Sequence, residues 1–218
     1  MAKHLTKKQV DMVFSIFTQQ NSSPQGELTH KSVFELLVAV VLSAQATDIS
    51  VNKATEKLYL VANTPEAIYE LGVDGLIPYI KTIGLYNNKA KNIIQLCRDL
   101  IDKYNGEVPH TMKELISLPG VGRKTANVVL QMAFGQDTIA VDTHVYRVSR
   151  RLGLSKASTP DGVEKDLYRV IPKKYHKYAH HWLILHGRYL CKARKPECQS
   201  CPLPCISRQA SYGVKESS

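Results

Sequence analysis

The sequence is short of long apolar runs, of glycine and proline, and of acidic residues, and each shortage removes a class of protein. No stretch of the 218 residues approaches the roughly 18 unbroken apolar positions of a membrane-spanning helix. Integral helical membrane proteins are therefore excluded. With 12 glycines and 10 prolines, collagen-like and low-complexity chains are excluded too. The N-terminus, Met1-Ala2-Lys3-His4-Leu5-Thr6-Lys7-Lys8, has neither the apolar run nor the small-residue cleavage site of a secretory signal, so a cytoplasmic protein is expected. What is there is 44% hydrophobic residues, enough for a real core in one domain or two small ones, and 29 Lys+Arg against 19 Asp+Glu, a formal charge of +10.

That charge is unevenly placed. Residues 1–144 hold 14 Lys+Arg and 14 Asp+Glu, whereas residues 145–218 hold 15 against 5. The whole excess falls in the last third. A basic sector of this kind suits a polyanion such as nucleic acid or an anionic membrane surface, with lysine-rich solubility as the alternative.

Apolar residues recur at spacings of three and four in Val10, Val13, Phe14 and Phe17, and again in Val33, Leu36, Leu37, Val40 and Val41, the period of amphipathic helices. Helix-start signals stand at Thr64-Pro65, Thr111, Thr159-Pro160, Asp48 and Asp142. Together they predict helices near 6–20, 30–43, 48–61, 65–71, 87–104, 111–117, 123–134, 143–152, 161–171 and 176–190. The one strand-like run, Thr138 to Val141, is too short and isolated to define a sheet, so the expected class is all-α. Asn21 to Gly26 and Gly135 to Asp137 read as linkers, and residues 206–218 as a mobile tail. A faint echo joins Ile80-Lys-Thr-Ile-Gly84-Leu-Tyr-Asn-Asn-Lys89 to Ile116-Ser-Leu-Pro-Gly120-Val-Gly122-Arg-Lys124. Both pass from an apolar helix end through a glycine turn into a basic helix start.

Leu118-Pro119-Gly120-Val121-Gly122 separates two helical patterns, and its glycines permit positive φ and close approach of the backbone to a ligand. The N–H groups at the start of the next helix then make a site for an anion such as phosphate, contacted without reading base sequence. An ordinary helix connection is the plainer reading. Lys124 falls in the first turn of that helix. The positive end of the helix dipole and the adjacent Arg123 both disfavour a further positive charge there, which favours a neutral, nucleophilic amine. A solvated surface lysine is the alternative. A helix over 123–134 advances roughly 18 Å at 1.5 Å per residue, and residues 135–141, if extended, can return roughly 23 Å. Asp142 can thus come back beside Lys124. It also fits as N-cap of the helix beginning Thr143-His144-Val145, and the two roles are compatible.

Cys191, Cys198, Cys201 and Cys205 are spaced by six, two and three residues. Without a secretory signal, metal ligation is favoured over a disulfide framework. So tight a run of thiolates favours iron–sulfur over zinc, which usually takes paired short spacings across a longer loop, and leaves zinc open. Cys97 stands apart as a small buried apolar residue. Between the first two ligands lie Lys192, Arg194 and Lys195, three cations on an arc suited to DNA phosphates.

Taken together, Leu118-Pro-Gly-Val-Gly-Arg-Lys124-Thr-Ala, Val141-Asp142-Thr-His-Val145, Ser43-Ala-Gln45-Ala-Thr-Asp48 and the four-cysteine loop resemble endonuclease III, a family of bifunctional DNA glycosylase/AP lyases in the helix-hairpin-helix superfamily. The likeness runs from about residue 6 to 205. It implies two helical domains with a DNA groove between them: residues 24–136, with the hairpin at 111–134, and residues 1–23 plus 137–205, holding a [4Fe–4S] cluster on the four cysteines. It implies Lys124 as nucleophile, Asp142 as essential carboxylate, and Gly120, Val121, Gly122 and Arg123 as phosphate-binding hairpin. Gln45 and Leu85 match residues inserted into the duplex, and His144 a phosphate or active-site neighbour. By the residues alone, Gln45 would end a helix, Leu85 would join the core and His144 would serve a cap. The implied activity is excision of oxidised pyrimidines from double-stranded DNA and β-elimination 3′ to the abasic site, by a monomer with no membrane partner, at the nucleoid if bacterial. Where the family usually has five residues between its third and fourth cysteines this chain has three, and Ser207 stands where the last ligand would fall. A monofunctional glycosylase using activated water, which usually carries a further C-terminal domain, and a non-catalytic helix-hairpin-helix module are the rival readings. With 13 residues after Cys205, no such domain is expected here.

Overall fold

Short polar side chains set most of the helix starts in the computed structural model, which describes residues 5–203. Thr6, Ser32, Thr47, Thr64, Thr111 and Thr159, and the Asp142 carboxylate, each accept a backbone N–H from three residues on, satisfying donors that a first helical turn leaves open. The helices are α1 (Lys7–Gln20), α2 (Val33–Leu42), α3 (Asp48–Tyr59), α4 (Pro65–Ile80), α5 (Tyr86–Tyr104), α6 (Met112–Ser117), α7 (Arg123–Phe134), α8 (Thr143–Leu152), α9 (Pro160–Val170) and α10 (His176–Tyr189). A 3₁₀ turn at Lys173–Tyr175 precedes the last. Among the described residues there is no strand, and no helix is long and apolar enough to cross a membrane. Cys205 and the tail 206–218 lie outside the described residues.

Two local expectations change. Thr47, not Asp48, caps α3; Asp48 takes the first helical position, where its carboxylate faces the positive end of the dipole. The helix predicted over 65–71 resumes after Gly72, which bends the chain with φ 64°, and runs on to Ile80. Gly72, Gly75 and Pro78 conceal this second half because each reads as a breaker, yet one left-handed glycine only redirects the helix.

The chain divides into two units, Gly26–Gln136 and Met1–Gln25 with Asp137–Ser218. In the first, α2 is apolar all round: every residue from Phe34 to Leu42 is buried, with α3, α5 and α7 packed against it. Alongside, α4 packs on α5, where Cys97 is fully buried and its thiol is pushed up to about 12 by burial and by Glu66. In the second unit, Val10, Val13, Phe14 and Phe17 of α1 meet Val145, Val148 and Leu152 of α8, Leu167 of α9, and Trp182 and Leu183 of α10. Phe14 stacks on Tyr175 at 5.5 Å, and the indole N–H of Trp182 donates to the Asn21 carbonyl at 2.8 Å. That core also includes Cys191 and Leu203, so it anchors both ends of the described cysteine loop.

Candidate active site

The segment Leu118–Gly122 joins α6 to α7, and its two glycines do different work. Gly120 takes φ 77°, and a Cβ there would lie 3.1 Å from Asn92 Cβ and 3.4 Å from Val41 Cγ1. Backbone angle and packing both demand glycine. Gly122 has φ −87°, and a Cβ there would meet nothing within 4 Å. The fold does not need glycine at 122. What its missing side chain leaves is open space over an α7 start that has no side-chain cap. Val121 is buried beneath the hairpin, while exposed Arg123 and half-buried Lys124 occupy the first two positions of α7, at the positive end of its dipole.

Two other exposed side chains stand on strained turns. Gln45 has φ 57° just after α2, and Leu85 has φ 61° as N-cap of α5, with 58% of its surface exposed. A left-handed leucine costs roughly 1–2 kcal/mol, and one left in water gains nothing from burial. Leu85 therefore does not belong to the core. The echo between the two glycine turns is imperfect for the same reason: at Gly120 the glycine takes the left-handed angle, and at Gly84-Leu85 the leucine does. The Gln45 and Leu85 turns adjoin, since a Cβ on Gly84 would lie 3.8 Å from the Gln45 carbonyl oxygen.

In the second unit, Asp142 Oδ1 accepts the Val145 N–H at 2.8 Å and caps α8. His144 Nδ1 lies 3.2 Å from Arg147 Nη2, whose guanidinium also donates to the carbonyls of Gly187 at 2.9 Å and Cys191 at 3.2 Å. One turn on, Arg151 donates to the carbonyls of Lys192 at 2.6 Å and Ala193 at 3.1 Å. Gly187 permits this closeness, because a Cβ there would come within 2.9 Å of His144 Cβ. The helix that Asp142 caps thus holds the start of the cysteine loop. Sequence pattern singles out neither arginine; their i, i+4 spacing on the polar side of α8 is the available signal.

Among the described residues no cysteine is in a disulfide. Cys191 is buried and Cys198 and Cys201 half-buried, and the Cys201 thiol is pushed up by burial and by the neighbouring Cys191 and Cys198. Its Sγ lies 3.9 Å from Nε2 of His186, which burial holds down at about 4. The soft sulfurs of Cys191, Cys198 and Cys201 are of the donor type that an iron–sulfur centre takes. No three His, Cys, Asp or Glu side chains among the described residues stand ready as a metal site, and the fourth cysteine of the run lies outside them. The cationic arc is less open than its composition implies: Lys192 pairs with Glu197 at 3.1 Å, while Arg194 and Lys195 are exposed, Lys195 with φ 50°. Gln45, Leu85 and the hairpin with Lys124 lie in the first unit, and Asp142, His144, Cys191, Cys198 and Cys201 in the second.

A family model described as HhH-GPD superfamily base excision DNA repair protein matches residues 38–173. Endonuclease III of Rickettsia felis is 60% identical over 194 residues, covering 89% of this chain and 91% of that protein. The chain belongs to the endonuclease III family. It is accordingly a base-excision-repair enzyme, a DNA glycosylase and AP lyase. Endonuclease III of Escherichia coli is 60% identical over 183 residues, with 84% and 87% of the two chains covered. Among solved structures, a trapped endonuclease III–DNA covalent intermediate matches with TM-score 0.91 at 49% identity, over 95% of this chain and 98% of that one.

For a member of this family the two hairpin glycines give opposite expectations. Gly120→Ala should lower stability by about 1–2 kcal/mol through its left-handed φ, with crowding against Asn92 adding to the loss. Gly122→Ala should leave the unfolding midpoint in place and weaken affinity for duplex DNA. Equal destabilisation by both, with unchanged affinity, would reduce the hairpin to a connection.

Proposed function

We propose that this endonuclease III family member removes oxidised pyrimidines from double-stranded DNA and then cuts the strand 3′ to the abasic site by β-elimination. The observation that carries this reading is Lys124, an amine in the first turn of a helix whose start is uncapped and whose preceding glycine leaves room for a ligand. One amine accounts for both activities. As a neutral nucleophile it attacks C1′ of the deoxyribose, and the N-glycosidic bond breaks with its electron pair going to the base, which takes up a proton. Ring opening leaves the nitrogen on the sugar as an iminium. That iminium acidifies the C2′ hydrogens; loss of one gives an enamine, whose electrons expel the 3′-phosphate. Water then hydrolyses the imine, returning the amine and releasing the unsaturated sugar aldehyde. A water nucleophile would form no imine and open no such route to strand cleavage.

The other residues take roles that suit their placement. Asp142 accepts the amine proton or stabilises the cationic sugar, while still capping α8. The hairpin N–H groups of Gly120 and Gly122, with Arg123, hold a phosphate, while the N–H of buried Val121 is taken by the Leu118 carbonyl at 3.1 Å and shapes the turn instead. Gln45 and Leu85 fill the space left when the damaged nucleotide turns out, an extrusion made cheaper by the lesion's weakened pairing and stacking. His144, Lys192, Arg194 and Lys195 add phosphate contacts. Cys191, Cys198, Cys201 and Cys205 would hold a [4Fe–4S] cluster, whose contribution is to fix the loop and its cations. The same reading places a monomer in the cytoplasm, at the nucleoid if the source is bacterial.

A panel of duplexes carrying thymine glycol, uracil, 8-oxoguanine or an abasic site tests the proposal. Thymine glycol should be excised and the abasic site cleaved. Removal of 8-oxoguanine with thymine glycol untouched would overturn the substrate class, and base release without strand cleavage would replace the amine by water. The purified protein should be yellow-brown with broad absorption near the violet edge; a colourless, zinc-containing preparation would overturn the cluster.

A further inference from the structure

Lysines are rarely buried, because an ammonium taken out of water needs several polar partners. Lys89 is only 5% exposed. Its Nζ donates to two main-chain carbonyls, Leu42 at 2.9 Å and Ala44 at 2.6 Å, at the end of α2 and in the turn that follows. A helix C-terminus is the electrically negative end, so the ammonium is well placed there. The end of α2 also has other partners: the Ser43 N–H donates to the Ala39 carbonyl, and the Ser43 hydroxyl to that of Val40. The lysine differs from these in reaching across from α5. Its own backbone N–H donates to the Leu85 carbonyl at 3.1 Å, closing the first turn of α5. One residue is thus bonded through its main chain to the left-handed Leu85 and through its side chain to the residue preceding the left-handed Gln45. The contact between Gly84 and the Gln45 carbonyl adjoins the same junction.

We infer that Lys89 is a positioning residue that locks the Gln45 turn to the Leu85 turn, so that the two exposed side chains enter DNA as one rigid wedge. The inference rests on the proposed insertion of Gln45 and Leu85. Strained turns persist only where the surroundings over-determine them, and here the buried ammonium ties the Gln45 turn to the start of α5, whose first-turn backbone bond holds Leu85. Methionine would keep the length and apolar stem of the side chain and lose every donor.

The test compares Lys89→Met, Lys89→Gln and the double variant Gln45→Ala/Leu85→Ala on two substrates: thymine glycol in duplex DNA, where a base must be displaced, and an abasic site in single-stranded DNA, where none must. Both Lys89 variants should slow single-turnover excision from duplex by about tenfold or more and leave single-strand β-elimination within about twofold. Added to the double variant, Lys89→Met should cost less than about twofold further. Amide exchange over residues 43–47 should quicken while that of α7 does not. Wild-type excision by Lys89→Met, equal slowing on both substrates, or an effect that adds fully to the double variant would overturn the inference. If the double variant itself excises normally, the insertion reading falls; if it is slow and the Lys89 variants are not, the positioning role alone falls.

Discussion

Replacing Lys124 by alanine should abolish borohydride trapping of the protein on thymine-glycol or abasic DNA and slow excision by roughly 10⁴-fold. The reason is chemical. Reduction captures a bond between a protein nitrogen and C1′, and no other residue is asked to supply that nitrogen. Lys124→Arg makes the sharper comparison. It keeps the positive charge at the start of α7 but cannot lose its proton in a protein, so it should bind DNA and fail to trap. An anchor for phosphate would tolerate the exchange; a nucleophile would not. Strand cleavage at an abasic site by Lys124→Ala at the wild-type rate would place the nucleophile elsewhere.

Asp142 should separate into two functions under substitution. Asparagine retains an oxygen able to accept the Val145 N–H, so Asp142→Asn should unfold at the wild-type midpoint. Its excision rate should nevertheless fall by roughly 10²–10⁴-fold, because the amide can neither take a proton nor balance a cationic sugar. Asp142→Ala loses the cap as well, which should cost about 1 kcal/mol of stability. Unfolding and single-turnover assays on the same preparations check both. A fully active Asp142→Asn would leave Asp142 with the cap alone.

Much of this protein is legible along the chain because the interactions concerned are local. A threonine that caps a helix bonds three residues on, which is why Thr64, Thr111 and Thr159 stand out in the sequence, and why Asp48 misses the cap of α3 by one position only. The apolar period of α1 follows from the geometry of one helix and its single buried face. Lys124 and the cysteines are marked by their spacing to near neighbours.

Other features depend on partners far away in the chain. Lys89 reads as one more basic residue at a helix start, and its burial depends on carbonyls 47 and 45 residues earlier. Arg151 reads as surface charge and bonds to the cysteine loop 41 residues on. Leu85 looks like core material, and only the turn it occupies leaves it exposed. Gly120 and Gly122 look alike in sequence, yet packing against Asn92 and Val41 constrains the first and nothing crowds the second. The sequence by itself determined most of the helices, the breaks between most of them, the candidates for the chemistry and the placement of charge, since these follow from periodicity and local bonding. Tertiary structure alone decided which lysine is buried, which leucine is exposed and which glycine is indispensable, because burial and long-range hydrogen bonds belong to the packed chain.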